Sequence, residues 1–475
     1  MPVTLLVVGY FGCFAKLSIQ LFDAYQSPGF DMGIFDQGVW LLSRLRAPFV
    51  TVMGRNLFGD HTSFVLLLIV PLYWVAADAQ TLLVVQAALI SAAAVPVYLV
   101  ARRRTGSTVM ATGLAAAYLL NPALQQGNLE QFHPECFLVF FVALALFAAL
   151  EWHPKLLAVA AVGCLLVKED TALLVFPLAL WVYVHRDRRL GRRLMIGSAI
   201  YALVATEVVI RVLLGTASFY GGRIPFGGLW GLISAPFTRP ARFLSYLWAD
   251  NRPLYLWQMG ASFGWMFLLG PDVAAVAALT GAENLLSNFP YMHQIYYHYS
   301  LALVPILAVA TAAAVGRLRP RRRPAATALV CAAAVASCAV WGVAPFSLSS
   351  ASPSPGPDSP AVRATDALLR KIPPGAAVSA SWPIVAHLTH RTRAYQWPTP
   401  FRATLWGLYR QEGQRLPSAG TVRYLVIPTH RSGTDGEVFD SIARQFRLIG
   451  STGTWSVYQR VSPQPPALVP SAIRR

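Results

Sequence analysis

Apolar runs alternate with short polar, arginine-rich interruptions from residue 3 to residue 345, and then the pattern stops. Runs of about 17 to 25 apolar residues can cross the roughly 30 Å hydrocarbon core as α-helices, which satisfy every backbone polar group within the segment. The pattern predicts spans at 1–22 and near 80–101, 107–124, 136–151, 155–168, 171–185, 194–214, 253–270, 271–288, 299–316 and 325–345, about eleven in all. The opening run reads as a retained span, because no charged segment precedes its apolar core and no small-residue cleavage site follows. One apolar stretch, FVLLLIVPLYWVA (64–76), is short and contains Pro71, which suits a segment lying in the membrane interface.

Beyond residue 345 the periodicities change. Residues 346–360, including SLSSASPSPGPDSP, read as a Ser/Pro linker. Residues 361–463 then carry helical spacing at 361–372 and 437–446, and strand-like runs at 376–381, 393–398, 423–428 and 454–461. This predicts a small α/β domain, followed by a disordered tail at 464–475. The expected fold is therefore a polytopic α-helical membrane protein, its transmembrane domain over 1–345, with a small C-terminal α/β domain.

Composition agrees with this class: 55% of residues are hydrophobic and 13% charged, and mean hydropathy is +0.49. The net charge of +18 invites a nucleic-acid reading, but the basic residues sit as clusters between spans, at Arg102-Arg103-Arg104, HRDRRLGRR (185–193) and RLRPRRR (317–323). Such clusters stay in the cytoplasm and orient the chain. The N-terminus is then cytoplasmic, and the first loop (23–79), the loops 125–135, 216–252 and 289–298, and the C-terminal domain lie outside, which places the protein in the plasma (inner) membrane. Five scattered cysteines match neither a disulfide framework nor a zinc site. No phosphate-binding glycine loop, H-E-x-x-H or G-x-S-x-G is present.

The unusual polar residues gather in the external loops. FDMGIFDQGVW (30–40) sets Asp31 and Asp36 among Phe30, Ile34, Phe35, Val39 and Trp40, where an ionised acid is costly unless it has a role. GDHTS (59–63) offers Asp60 and His61, with a helix cap as the alternative role for Asp60. NLEQFHPE (128–135) adds Glu130, His133 and Glu135. In VKEDT (167–171), Lys168, Glu169 and Asp170 interrupt two apolar runs, as residues facing a cavity or one another do. Lys168 is either a salt-bridge partner or a contact for an anionic head group. NFPYMHQIYYHYS (288–300) supplies His293, His298 and Tyr299; interfacial tyrosines are common anchors, whereas the histidines are not explained that way.

The order of these parts resembles the GT-C glycosyltransferases. In detail, FDMGIFDQGVW, GDHTSFVLLLIVPLYW, FHPE, KEDTALLVFPLAL, YYHYSLALVP and IPPGAAVSASWPIVAHLTHR resemble the bacterial membrane-protein family known as domain of unknown function 2079. The resemblance implies an inverting transferase that takes a sugar from a polyprenyl-phosphate carrier and passes it to an external glycan, lipid or protein acceptor. It also implies a first-loop acid as catalytic base, which falls on Asp31, with Asp36 and Asp60 as alternatives. Such chemistry needs a base for the acceptor hydroxyl and cations or donors near the leaving phosphate. Lys168 leads the phosphate candidates, followed by Arg223, His293, His298 and Tyr299, with Asp60, His61, His133, Glu135, Glu169 and Asp170 as supporting polar groups. A divalent metal, Mg or Mn, held by Asp36, Asp60 or His61 is an open option. Two rivals stand beside this expectation: a transporter or lipid flippase, and a non-catalytic envelope assembly or sensing protein working through its C-terminal domain.

Overall fold

The structure is a computed structural model, and it describes residues 2–216, 220–349, 351–405 and 411–461. The tail predicted at 464–475 lies outside the described residues. The chain divides into two compact units. One comprises Met1–Ser18, Phe58–Leu68 and Leu83–Ala351; the other comprises Ile19–Leu57, Ile69–Leu82 and Ser352–Arg475.

The protein is mostly helical. Among the described residues, five helices are long and apolar enough to cross a membrane: Pro2–Asp23, Gln80–Thr105, Arg188–Leu213, His298–Arg317 and Pro320–Trp341. Shorter apolar helices include Thr108–Leu119 and Pro154–Leu165. Of the two continuous spans expected over 253–288, the first is instead broken into Arg252–Ala261 and Met266–Leu269, whereas Pro271–Ala274, the tight turn Ala275–Ala277 and Ala278–Leu286 follow one another without a gap. The cause is local: Gly264 and Trp265 both take left-handed backbone angles, φ 56° and 57°, and Pro271 cannot donate to a preceding turn. The short segment 64–76 forms two brief helices, Phe64–Leu68 and Val70–Val75, with Leu68, Trp74 and Val75 exposed.

In the first unit, the helix Leu303–Arg317 is enclosed, every residue from Leu303 to Val315 being buried. Its close approach to helix Ala94–Thr105 depends on Gly316, where an added Cβ would lie 2.5 Å from the Cβ of Arg104 and 3.0 Å from its carbonyl oxygen.

The second unit contains a two-stranded ribbon, β1 (Phe49–Val50) and β2 (Arg55–Asn56), and a five-stranded mixed sheet. The sheet strands are β3 (Val378–Ala380), β4 (Ala394–Gln396), β5 (Tyr424–Pro428), β6 (Phe446–Ser451) and β7 (Trp455–Arg460), in the order β4-β3-β5-β7-β6. β3 runs parallel to β4 and β5, whereas β7 runs antiparallel to β5 and β6. Strand β6 falls where the sequence pattern predicts the end of a helix. Helix Gly433–Ile442 stops earlier, and β6 is an edge strand with exposed Arg447 and Leu448, so it lacks the alternation that would mark it.

The opposite edge of the sheet is covered from the N-terminal half of the chain. Thr51 Oγ1 donates to the carbonyl of Ala394 at 2.6 Å and accepts from its N–H at 2.9 Å. Gln37, from helix Phe30–Ser43, accepts from the Thr51 N–H at 2.8 Å and donates to the Arg391 carbonyl at 2.9 Å. These bonds occupy edge groups that would otherwise pair with another chain.

The residue before Gln37, Asp36, is fully buried, and its carboxylate accepts hydrogen bonds from Tyr73 (2.7 Å), His390 (3.0 Å) and Thr389. His390 also stacks on Trp40. Burial works to lower the His390 pKa, but the hydrogen bond and charge of Asp36 override it and raise the imidazole above its ordinary value. Asp36→Ala removes an acceptor shared by buried Tyr73 and Thr389 and half-buried His390 and is expected to cost about 3–5 kcal/mol, read as a lower midpoint in thermal unfolding. Because the pKa of His390 is raised on folding, the pair's contribution is complete below the ordinary histidine pKa of about 6.5 and is lost as pH rises through the raised value. Unfolding midpoints should therefore fall from acidic to mildly alkaline buffer in wild type, and a smaller fall is expected in His390→Asn.

Candidate functional site

Within the first unit lies a cavity of about 560 Å³. Much of its wall is aliphatic, including Leu138, Leu173, Leu174, Ile210, Leu229 and Leu279, but it also carries Asp60, Glu135, Lys168, Glu169, Asp170, Arg223 and Glu283. An apolar pocket with a small set of ionisable groups is the usual form of a ligand site.

The VKEDT interruption supplies three of these residues. Helix Pro154–Leu165 ends, Lys168 takes an extended backbone, and a single tight turn, Glu169–Thr171, leads into helix Ala172–His185. Thr171 Oγ1 donates to the Lys168 carbonyl at 2.7 Å and holds the turn. The Lys168 ammonium then reaches Asp170 at 3.2 Å and Glu135 at 3.6 Å. Glu169 points to the first-loop segment, accepting from the Thr62 N–H at 3.1 Å and pairing with His61 Nδ1 at 2.7 Å.

These adjacent carboxyls are driven apart electrostatically. Burial works to raise Glu169, but His61 and Lys168 override it and hold the group down to about 2. Asp170 is raised, with desolvation outweighing the attraction of Lys168 and the negative charge of Glu169 adding to the rise. The cavity thus combines a fixed anion with a carboxyl that takes up a proton more readily.

A second polar cluster borders the first. Helix Pro122–Glu130, started by the Asn121 side chain, ends at Glu130, whose Oε2 accepts from the His298 N–H at 2.6 Å and lies 3.2 Å from His298 Nδ1. The rings of His133 and His298 stack with centroids 3.7 Å apart. His298 Nε2 lies 4.0 Å from Glu135 Oε1, so this cluster meets the cavity wall through Glu135.

The far wall is held by Arg252, almost completely buried. Its guanidinium donates to the carbonyls of Leu285 (2.8 Å), Ser287 (3.0 Å), Tyr246 (3.2 Å) and Ala249 (3.2 Å), and it lies over the Tyr246 ring. This clamp secures the end of helix Ala278–Leu286, whose Glu283, Asn284 and Leu286 line the cavity. Lysine cannot span that fork, so Arg252→Lys should lose at least two charge-assisted bonds and about 3 kcal/mol of stability, measured by thermal unfolding in detergent. An unchanged midpoint would remove the clamp from the account.

The expected site residues therefore separate. Asp60, Glu135, Lys168, Glu169, Asp170, Arg223 and Tyr299 line one cavity. His61 contacts it through Glu169, and His133 and His298 form the bordering cluster. His293 is buried outside the lining. Asp31 and Asp36 belong to the other unit, Asp31 half-buried in the first turn of helix Phe30–Ser43 and Asp36 engaged as described. Of the residues offered as metal ligands, Asp36 accepts from Tyr73, Thr389 and His390 in its own unit, and His61 Nδ1 pairs with Glu169 in the other. Glu283, Arg252 and Gln86 went unrecognised in the sequence, although each is a polar residue within or next to an apolar run, the available signal for a buried role.

The fold is that of a membrane protein similar to ArnT from Cupriavidus metallidurans, whose crystal structure is bound to undecaprenyl phosphate. The likeness has a TM-score of 0.56 at 13% identity and covers 97% of this chain and 98% of that one. The arabinofuranosyltransferase AftD from mycobacteria is also similar, with a TM-score of 0.49 and 16% identity over 96% of this chain and 40% of that one. No curated protein matches the sequence. A family model described as "Predicted membrane protein (DUF2079)" matches residues 22–417, and the chain belongs to this family.

Proposed function

We propose that the protein is an inverting glycosyltransferase of GT-C architecture, taking a sugar from a polyprenyl-phosphate donor and passing it to an acceptor outside the cytoplasm. The observation that carries this reading is the cavity, which combines an aliphatic wall for a prenyl chain with Lys168 and Arg223 for a phosphate. Undecaprenyl phosphate in ArnT, a protein of the same fold, supports this ligand class. In this reading the chain has about eleven spans, a cytoplasmic N-terminus and an external C-terminal domain.

Asp31 is the proposed base, while its neighbour Asp36, with both oxygens engaged, serves the framework of its unit. Lys168 and Arg223 stabilise the leaving phosphate, where charge develops in the transition state. Tyr299 faces the same cavity; His298 and His293, outside the lining, are given no direct phosphate role. Donor site and base fall in different units, and each is tested by itself.

The test is incubation of the purified protein in lipid with a panel of radiolabelled polyprenyl-phosphate sugars and an envelope extract as acceptor. Covalent transfer of label from one donor is expected. The carboxyls of the cavity outnumber its two fixed cations and favour a second reading, a carrier of cationic or lipid cargo. Movement of labelled lipid across proteoliposomes without covalent transfer would overturn the transferase reading in favour of the carrier.

A further inference from the structure

We propose that Glu130, His133 and His298 form a binding site for a divalent metal ion of the zinc class. The three residues come from separate parts of the first unit, the end of helix Pro122–Glu130, the turn after it and the tight turn His298–Ser300, yet one ligand atom from each lies within 4.8 Å of the others. Glu130 Oε2 stands 3.2 Å from His298 Nδ1 and 4.0 Å from His133 Nδ1. Donors around a tetrahedral zinc ion sit roughly 3.4 Å apart, given metal–ligand distances near 2.1 Å. To close on an ion the donors draw together and the stacked imidazoles turn, because each nitrogen lone pair lies in its own ring plane.

The surroundings are those of a prepared site. The two imidazoles are stacked and largely enclosed, with side-chain exposures of 4% for His133 and 12% for His298. Gln86 holds the intervening turn rigidly, donating to the carbonyls of Gln131 (2.6 Å) and Asn128 (3.0 Å) while accepting from the His133 N–H (2.9 Å). The His298 N–H orients the Glu130 carboxylate from the other side. Bonds of this kind fix ligand geometry around metals. The Gln131 carbonyl, 3.4 Å from His133 Nδ1, is a further oxygen beside the set.

The donor types select the ion. Two imidazoles and one carboxylate suit zinc and its transition-metal neighbours, whereas magnesium and calcium require shells made almost entirely of oxygen. An ion here would tie Glu130 to the His298 turn, one residue from Tyr299 and beside Glu135, both on the cavity wall. It would add positive charge behind a lining rich in carboxyls. The inference stands apart from the transferase reading, because binding is measured without turnover.

The full-length protein in detergent, stripped with a chelator, is titrated with Co²⁺ by visible absorption and then with competing Zn²⁺; the zinc-loaded protein is examined by X-ray absorption. One equivalent of Co²⁺ displaced by Zn²⁺ is expected, with imidazole nitrogens at about 2.0–2.1 Å in the zinc shell. Glu130→Gln and His298→Asn should each weaken binding by more than the roughly 10- to 100-fold typical of losing an outer-shell partner. The proposal is overturned by no stoichiometric uptake in wild type, by a zinc shell lacking imidazole, or by uptake unchanged in a His133→Asn/His298→Asn protein. Should the variants not fold, the wild-type titration and X-ray absorption decide alone.

Discussion

Asp31→Asn is expected to lower sugar transfer by about 10²- to 10⁴-fold, the range for loss of a general base, while donor binding and unfolding midpoint stay near wild type. The asparagine is nearly isosteric and remains compatible with the first turn of helix Phe30–Ser43, where the helix-terminal attraction for an acid is worth about 0.3–1 kcal/mol. A rate collapse without a stability change would separate Asp31 from Asp36, whose loss is expected to act on folding. The measurement is initial rates for both proteins with the donor identified from the panel. An Asp31→Asn protein with full activity would sink Asp31 as the base, and the same assay on Asp60→Asn would then test the alternative base that lies on the cavity wall.

Lys168→Gln should be nearly as damaging, with kcat for transfer falling by about 10²- to 10³-fold, the typical cost of removing one group that stabilises developing transition-state charge. The ammonium sits between Glu135 and Asp170, so in the resting protein it also balances two carboxylates. A purely structural lysine would lower the unfolding midpoint and leave the kinetics of the surviving folded protein intact. A phosphate ligand would instead show its effect in kcat and in donor KM, with part of the activity regained in Lys168→Arg. Equal activity of Lys168→Gln and wild type, at equal folded fraction, would remove Lys168 from the donor site.

Much of the architecture was open to sequence reasoning because its causes are local. Apolar length set the long helices, and the Ser/Pro run marked where membrane character ends. Four of the five strands in the C-terminal sheet announced themselves by β-branched and aromatic runs; β6, an edge strand after a helical pattern, did not. The helix break in 253–270 escaped notice because left-handed angles at Gly264 and Trp265 depend on what packs around them. The VKEDT and FHPE interruptions stood out because charge within apolar sequence is costly unless compensated.

The sequence by itself determined a membrane protein of long apolar helices with a small mixed α/β C-terminal part, together with most of the polar residues of interest. Only the tertiary structure decided their company. It brought Glu135, Lys168 and Arg223 to one cavity, closed Glu130, His133 and His298 into one cluster, and distinguished half-buried Asp31 from Asp36, locked onto Tyr73, Thr389 and His390. The physical reason is range: helix and strand periods are written in neighbouring residues, whereas the partner that neutralises a buried charge can lie hundreds of residues away, as His390 does from Asp36.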